Sequence, residues 1–263
     1  MNKNLKVLYF SPTDGTKKII KSIADSIASH YEEFDMTLPQ NREKAIAFSD
    51  DDLVIIGMPT YAGRIPKLLL PYLEQITAHH TLGVFVATYG NRDYEDILLE
   101  QYDLFTAKGF IGLGAAAFIA EHSYTDQLAK GRPTIDDLEV ASDFGRSLSN
   151  RLKEIKTSSE LHTLSLPGNR PYVVKDIPLP PMAPETNDTC MLCGMCAKYC
   201  PAAAIDFSDC KTADASRCIK CNRCIKSCPS HAKTFTHEAY KNMRNMLITH
   251  FAHSSKNPKI FLA

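Results

Sequence analysis

Nine cysteines occur in the 263 residues, and all of them lie between Cys190 and Cys228. Eight fall into two runs of identical spacing. The first is Cys190-x-x-Cys193-x-x-Cys196-x-x-x-Cys200 followed by Pro201; the second is Cys218-x-x-Cys221-x-x-Cys224-x-x-x-Cys228 followed by Pro229. Each cysteine and the proline recur at an offset of 28, so one unit has been duplicated. Three thiolates from one tight loop can each reach a different iron of a cubane, while a fourth on the following short helix points the other way. The chemistry this spacing serves is iron–sulfur ligation. Structural zinc takes four tetrahedral ligands, usually as two separated pairs, and runs of four cysteines closed by proline fit that poorly. A secreted disulfide framework would involve the whole domain, whereas the first 189 residues contain no cysteine. Cys210 matches neither run and is expected to be a free thiol.

The double run resembles bacterial-type ferredoxins that carry two 4Fe–4S clusters. In that family the fourth cysteine of each run serves the other cluster. The resemblance implies one cluster on Cys190, Cys193, Cys196 and Cys228, and a second on Cys218, Cys221, Cys224 and Cys200.

Something must position this module, and the cysteine-free part alternates short apolar runs with amphipathic ones. Leu5-Lys6-Val7-Leu8-Tyr9-Phe10 predicts a strand, after which Ile19, Ile20, Ile23 and Ile27 recur at helical spacing. Further strands are predicted over residues 34–38, at Leu53-Val54-Ile55-Ile56-Gly57-Met58, at Leu82-Gly83-Val84-Phe85-Val86-Ala87 and over 110–120. Helices fill 66–74, 94–108 and 134–156. Strands alternating with helices imply an α/β, doubly wound parallel sheet, whose ligands sit beyond the carboxyl ends of the strands. Gly112-Leu113-Gly114-Ala115-Ala116-Ala117 fits the letters of a dinucleotide fingerprint. It lies inside an apolar run rather than opening a helix, and reads as a close-packed strand.

After the first strand, Ser11-Pro12-Thr13-Asp14-Gly15-Thr16 opens a helix, so hydroxyls, backbone N–H groups and the helix dipole can converge on a phosphate. Lys17 and Lys18 add positive charge, although such a turn taken alone can simply be an N-cap. Pro59-Thr60-Tyr61-Ala62-Gly63-Arg64 follows the third strand and Thr88-Tyr89-Gly90-Asn91-Arg92-Asp93-Tyr94 the fourth. Aromatic rings beside glycines suit a flat ring system held by stacking and approached closely by backbone. The three loops resemble those of flavodoxin-like FMN domains, over residues 1–156. That resemblance implies a five-stranded flavodoxin-like sheet, with Ser11, Thr13, Gly15, Thr16 and Lys17 at the FMN phosphate. Pro59, Thr60, Tyr61, Ala62, Gly63 and Arg64, with Thr88, Tyr89, Gly90, Asn91 and Tyr94, would flank the isoalloxazine. Gly63 is the expected site of a peptide that takes two backbone conformations beside the flavin.

Flavodoxin-like loops run Ser/Thr-x-Thr-Gly-x-Thr, and here Asp14 takes the glycine place; a carboxylate there suits a phosphate only if it turns away. The chain has no tryptophan, so stacking falls to tyrosines. His122, after the fifth strand, has a capping or surface role by default, with a proton-handling role near the flavin as the alternative.

Residues 157–187 are proline-rich and read as a semi-rigid spacer, with Pro167-Gly168-Asn169-Arg170-Pro171 and Pro178-Leu179-Pro180-Pro181. Residues 188–232 form the ferredoxin module. Residues 233–263 read as a packing helix, with Phe235, Tyr240, Met243, Leu247 and Phe251 in helical rhythm, and a tail. Residues 1–156 carry 17 Lys and Arg against 22 Asp and Glu, and the remainder 13 against 8; either these are two unrelated solvated surfaces, or the halves attract one another or face partners of opposite sign.

Together the parts resemble fused flavodoxin–ferredoxin proteins of anaerobic microbes. The resemblance implies electron transfer between FMN and two 4Fe–4S clusters, converting one-electron and two-electron traffic, with redox proteins as partners. The alternative is an FMN-dependent oxidoreductase with the clusters as internal relay on the way to a small substrate. The absence of a nicotinamide motif or nucleophilic triad favours the carrier, and no segment resembles the output domain of a redox sensor. No apolar run reaches the roughly 20 residues of a membrane helix, and no basic-then-apolar leader opens the chain. A cytoplasmic protein with no nucleic-acid partner is expected.

Overall fold

The apolar runs of the cysteine-free part pair into one sheet. The computed structural model describes residues 3–175 and 180–263, so Pro178 and Leu179 of the predicted spacer lie outside the described residues. Along the chain come β1 (Asn4–Tyr9), α1 (Gly15–Asp25), β2 (Glu32–Asp35), β3 (Ile46–Phe48), β4 (Asp52–Pro59), α2 (Leu70–Leu73), β5 (Ile76–Ala78), β6 (Thr81–Tyr89), α3 (Ile97–Thr106), β7 (Phe110–Ile119) and α4 (Ile135–Glu154). The cysteine-bearing part adds β8 (Glu185–Thr186), α5 (Met195–Lys198), α6 (Arg223–Lys226), β9 (Lys233–Thr234), α7 (Glu238–Phe251) and β10 (Lys259–Leu262).

The main sheet runs β10-β7-β6-β4-β1-β2, and its strands from β2 to β7 are parallel. Counted among themselves these five stand in the order 2-1-3-4-5, the flavodoxin-like order, with its switch point between β1 and β4. The loops after β1 and β4 therefore border the ligand crevice. β4 and β6 read as continuous apolar runs because both faces are covered. Ile19, Ile20, Phe144 and Leu148 from α1 and α4 pack on one face; Leu69, Leu98 and Phe105 belong to the core on the other. The fingerprint-like glycines fall inside β7.

Two expectations need correction. The second strand ends at Asp35 instead of spanning 34–38: the Met36 N–H still reaches the Tyr9 carbonyl at 2.7 Å, and the chain then bends at Thr37 and Leu38, where the Thr37 hydroxyl accepts from the Ser11 N–H at 2.9 Å. The predicted tail is a sixth strand, β10, antiparallel to β7 from Lys259↔Ala117 to Leu262↔Gly114. Without it, β7 would present an unpaired edge. The small residues of β7 admit it: a Cβ on Gly114 would stand 3.1 Å from the Phe261 carbonyl oxygen. Phe235 precedes α7 and stacks on Tyr240 with centroids 4.1 Å apart.

Residues 167–175 are no free spacer. Asp96, 1 % exposed, accepts from the Asn169 N–H and Nδ2, both at 2.9 Å, and from the Val173 N–H at 2.6 Å. Arg170 forks onto Asp103 at 2.8 and 2.5 Å, and the Arg64 guanidinium lies 4.5 Å from the Tyr172 ring centroid. This stretch is a strap along α3. Among the described residues no helix is long and apolar enough to cross a membrane.

Hydrogen bonds to a buried carboxylate contribute about 1.5–3 kcal/mol each, not additively. Asp96→Ala is therefore expected to lower stability by about 3 kcal/mol in urea unfolding and to open the strap to chymotrypsin at Tyr172. Cleavage there as slow as in the wild type would show that the strap is held by something else.

Candidate iron–sulfur and flavin site

The duplication is visible in the backbone. Left-handed residues recur 28 apart: Leu192 and Lys220 (φ 54 and 56), Gly194 and Asn222 (φ 76 and 60), Ala203 and His231 (φ 45 and 51). Gly194 and Asn222 each launch a one-turn helix, α5 and α6. The Ala204 N–H donates to Cys200 Sγ at 3.2 Å and the Ala232 N–H to Cys228 Sγ at 3.3 Å. Such bonds favour the thiolate and hold it in place for a metal.

Cys218, Cys221 and Cys224 line one small cavity together with Cys200 from the other run, walled by Ile205 and Phe235. Three sulfurs from one loop and a fourth from the other repeat suit a cubane in number and chemistry. Cys190, Cys193 and Cys196 share the other loop, which is tied to the chain beyond Cys228 by Thr189 Oγ1 to the Ser230 carbonyl at 3.1 Å and the Asn187 N–H to the Ala232 carbonyl at 3.0 Å. The two sets differ in exposure: Cys221 and Cys224 are buried, whereas Cys193 is exposed. Burial pushes the Cys221 thiol up to about 12 and Cys224 further. Cys210 is buried beside Cys196, its thiol 3.5 Å from the Phe207 carbonyl, and does not line the four-cysteine cavity.

The cysteine module rests on the carboxyl end of the parallel sheet. Arg223 Nη1 donates to Asp14 Oδ2 at 2.6 Å, Lys226 Nζ to Glu121 at 2.7 Å and Arg42 Nη2 to the Pro201 carbonyl at 2.7 Å. Tyr124 packs on Tyr240 at 4.7 Å, and Ile219 joins the core of the first domain. Burial raises the Tyr61 hydroxyl well above its ordinary value, and Cys221, Tyr124 and Cys218 add to the rise. Burial, then Cys218 and Cys221, push Tyr124 up to about 12. Tyr61, in the loop expected at the flavin, therefore lies within electrostatic reach of the inner thiols. Charge follows the same division: residues 185–214 carry five Asp and Glu against two Lys, whereas 215–241 carry six Lys and Arg against one Glu.

In the first loop the Ser11 hydroxyl accepts from the Lys17 N–H at 3.0 Å, and the N–H groups of Thr13, Gly15 and Thr16 meet no acceptor among the described residues. Asp14 adopts φ 64, the left-handed backbone of the glycine place, which aspartate tolerates better than most residues. Ala62 and Gly63, at φ 51 and 88, form a type I′ turn closed by paired hydrogen bonds between Tyr61 and Arg64 at 3.0 and 3.1 Å. The Gly63 carbonyl already accepts from the Asp96 N–H at 3.1 Å, and a Cβ there would run into the Glu95 carboxylate. Gly63→Ala is therefore a test of packing as much as of backbone freedom. Thr60 Oγ1 is buried without a partner. That orphan and the free N–H groups of the first loop fit a phosphate-bearing flavin.

Other expected contacts are engaged elsewhere. Arg64 forks onto Glu100 at 2.8 and 2.6 Å. Asn91 Nδ2 donates to the Phe251 and Ser254 carbonyls at 2.9 and 2.6 Å, holding the end of α7. Thr16 and Thr88 bond each other at 2.7 Å, and Tyr89 and Tyr94 pair at 5.5 Å. A cleft of about 690 Å³ opens beside Tyr89 and Tyr94, with Lys175 and Lys256 on its walls. Arg223, Lys226, Glu121 and Tyr124 have interface roles that spacing does not mark; the only signal for Arg223 is its place between Cys221 and Cys224.

Residues 186–206 and 212–234 match the 4Fe-4S binding domain family. No curated protein matches the chain. Solved structures similar over the first part include a flavodoxin from the Archaea (14% identity, 57% of this chain and 99% of that one, TM-score 0.39). A Streptococcus pneumoniae TIGR4 flavodoxin (14%, 56% and 98%, 0.40) and the Flv1 flavodiiron core of Synechocystis sp. PCC6803 (19%, 58% and 36%, 0.43) are also similar. The chain is a flavodoxin-like α/β domain joined to a ferredoxin-type module. Its iron–sulfur segment gives it a redox role.

His122 lies against Gly90, and its Nδ1 accepts from the Tyr124 N–H at 3.1 Å, which leaves the proton on Nε2. Burial, with Arg92 and Lys226 nearby, lowers its pKa from 6.5 to about 4. The unfolded chain therefore takes the proton first as pH falls, and stability present above about 6.5 is lost progressively toward 4. His122→Gln keeps an acceptor without the charge, and is expected to flatten the dependence of the urea midpoint between about pH 7 and 5. Equal slopes in the two proteins would mean that the folded imidazole titrates freely.

Proposed function

We propose that this protein transfers electrons between an FMN in the first domain and two 4Fe–4S clusters in the ferredoxin-type module, exchanging them with redox protein partners. The observation that carries this reading is the small cavity lined by Cys200, Cys218, Cys221 and Cys224, with Tyr124 packed in one cluster with Cys218, at the sheet end where α/β folds take ligands. Bound there, FMN takes one or two electrons and each cubane one, which lets the set join two-electron to one-electron traffic.

Ser11, Thr13, Gly15 and Thr16 would hold the phosphate, while the Lys17 ammonium, expected there, turns instead to Tyr9 and Glu33; Thr60, Tyr61, Thr88, Tyr89 and Tyr94 stand toward the ring system. Tyr124 and Tyr240 keep water from the inner thiols. Of the outer set, Cys190, Cys193, Cys196 and Cys228, Cys193 is exposed, and its neighbours in the module Met191, Leu192 and Phe207 are 62, 58 and 66 % exposed. Asp188 and Asp206, close to them in sequence, are exposed too, so a partner with an apolar centre and basic rim fits this face. The cleft beside Tyr94 favours a second reading, an FMN-dependent oxidoreductase on a small substrate; turnover of a small molecule without any protein partner would establish it.

Quantitation of anaerobically purified protein should give about eight irons and one FMN per chain. Cys200→Ser is expected to perturb the cluster of Cys218, Cys221 and Cys224, and Cys228→Ser the other, as read by EPR. Cys210→Ser should spare both; iron loss there would place that thiol among the ligands.

The strap and β10 hold the module from both ends, so added salt should not undock it. Between 0.1 and 1 M salt the Debye length falls from about 10 to about 3 Å. Flash reduction of the clusters should then feed the flavin at rates within about twofold, while reduction by a separate charged protein changes by more. A steep fall of the internal rate would mean that charge attraction dominates docking.

A further inference from the structure

Asp14 and Arg223 lie 209 positions apart and meet at 2.6 Å. Asp14 is the left-handed residue of the loop that opens α1. Arg223 stands between two inner thiols, Cys221 and Cys224, and opens α6. A carboxylate in that loop repels a phosphate, and the loop's own cation does little to offset it: Lys17 Nζ sits 5.7 Å from the Tyr9 ring centroid, on the side of Glu33. Arg223 is different. Its side chain is 24 % exposed, with Tyr199 5.5 Å from its guanidinium carbon. A guanidinium has five N–H donors, and the Asp14 carboxylate takes one through Nη1. The remainder suit a phosphate oxygen at the same loop, where the N–H groups of Thr13, Gly15 and Thr16 lack an acceptor among the described residues.

We propose that Arg223 of the iron–sulfur module supplies the counter-charge for the flavin phosphate across the module boundary, and that Asp14 positions it. This rests on the FMN reading above. It makes flavin binding and module docking one coupled equilibrium: each strengthens the other by the same factor. It also accounts for an acidic residue in the glycine place, since Asp14 holds the arginine and is neutralised by it. The neighbouring pair Lys226–Glu121, at 2.7 Å, joins the same two modules without touching the phosphate loop. That pair is a control for docking alone.

The test is a titration of flavin-stripped, cluster-loaded full-length protein with FMN and with riboflavin, which lacks the phosphate, followed by flavin fluorescence. Arg223→Gln is expected to weaken FMN on the order of tenfold and leave riboflavin within about twofold. Arg223→Lys should recover most of the loss, and Lys226→Gln should leave FMN within about twofold. Asp14→Asn does not alter the iron–sulfur module. It keeps a side-chain oxygen that can accept from Arg223 Nη1 while removing the negative charge, so it should tighten FMN several-fold and not riboflavin. Equal losses for both flavins in Arg223→Gln overturn the proposal, as does no loss at all. Should Arg223→Gln lose iron, Asp14→Asn decides alone, and unchanged FMN affinity overturns the proposal. Failure of the FMN reading looks different: the wild type itself would bind FMN no more tightly than riboflavin.

Discussion

The carboxylate of Asp96 and the free edge of β7 hold the chain on either side of the cysteine module. Asp96 gathers three donors from the strap ahead of it, and β7 takes β10 behind it. A module on a loose linker must lose its freedom each time it docks, and an exposed ion pair returns only about 0–1 kcal/mol. Asp14–Arg223 and Glu121–Lys226 would hold such a module weakly. With both ends fixed, most of that entropy is lost once, on folding, and a few polar contacts and the Tyr124–Tyr240 stack suffice to set the orientation.

Within the module, duplication repeats the cysteine-bearing backbone and divergence fixes the facing. Positions 28 apart share backbone but not chemistry. Ile219, packed into the first domain's core, corresponds to Met191, 62 % exposed; Arg223, paired with Asp14, corresponds to Met195, 37 % exposed. The second repeat is basic where it meets an acidic domain, and the first is acidic and exposes apolar side chains. Two equivalent ligand loops thereby acquire different surroundings, one dry and one open. Burial and nearby charge are among the levers that set cluster potentials.

Spacing singled out the thiols that the fold gathers at one cavity, Cys200 with Cys218, Cys221 and Cys224, because a few consecutive residues set their loop. Apolar periodicity made the parallel strands legible, because both faces of β4 and β6 are covered. β10 was not, because four residues, Lys259–Leu262, carry too little pattern to differ from a tail; their state is decided by the β7 edge. Asn91 stood among tyrosines and a glycine and read as a ring contact, yet its partners lie some 160 positions later. Proline and glycine foretold an extended strap but not that Asp96, at the entry of α3, would bind it. Arg223 is legible only after the fold brings the β1 loop to α6.

The buried thiols impose a further condition. Burial raises the Cys221 and Cys224 thiols above their ordinary value, so the ligation proposed above would have to expel their protons, with the iron charge holding the thiolates. The same short stretch supplies Ile219 to the core, Arg223 to Asp14, Lys226 to Glu121 and Asn222 to the Tyr240 hydroxyl at 2.8 Å. Its backbone, with left-handed Lys220 and Asn222, is the shape that presents three sulfurs to one centre. Metal and interface therefore ask for one conformation of one loop, and each stabilises what the other requires. The exposed loop around Cys193 bears no such double demand, which leaves its surface free for a partner.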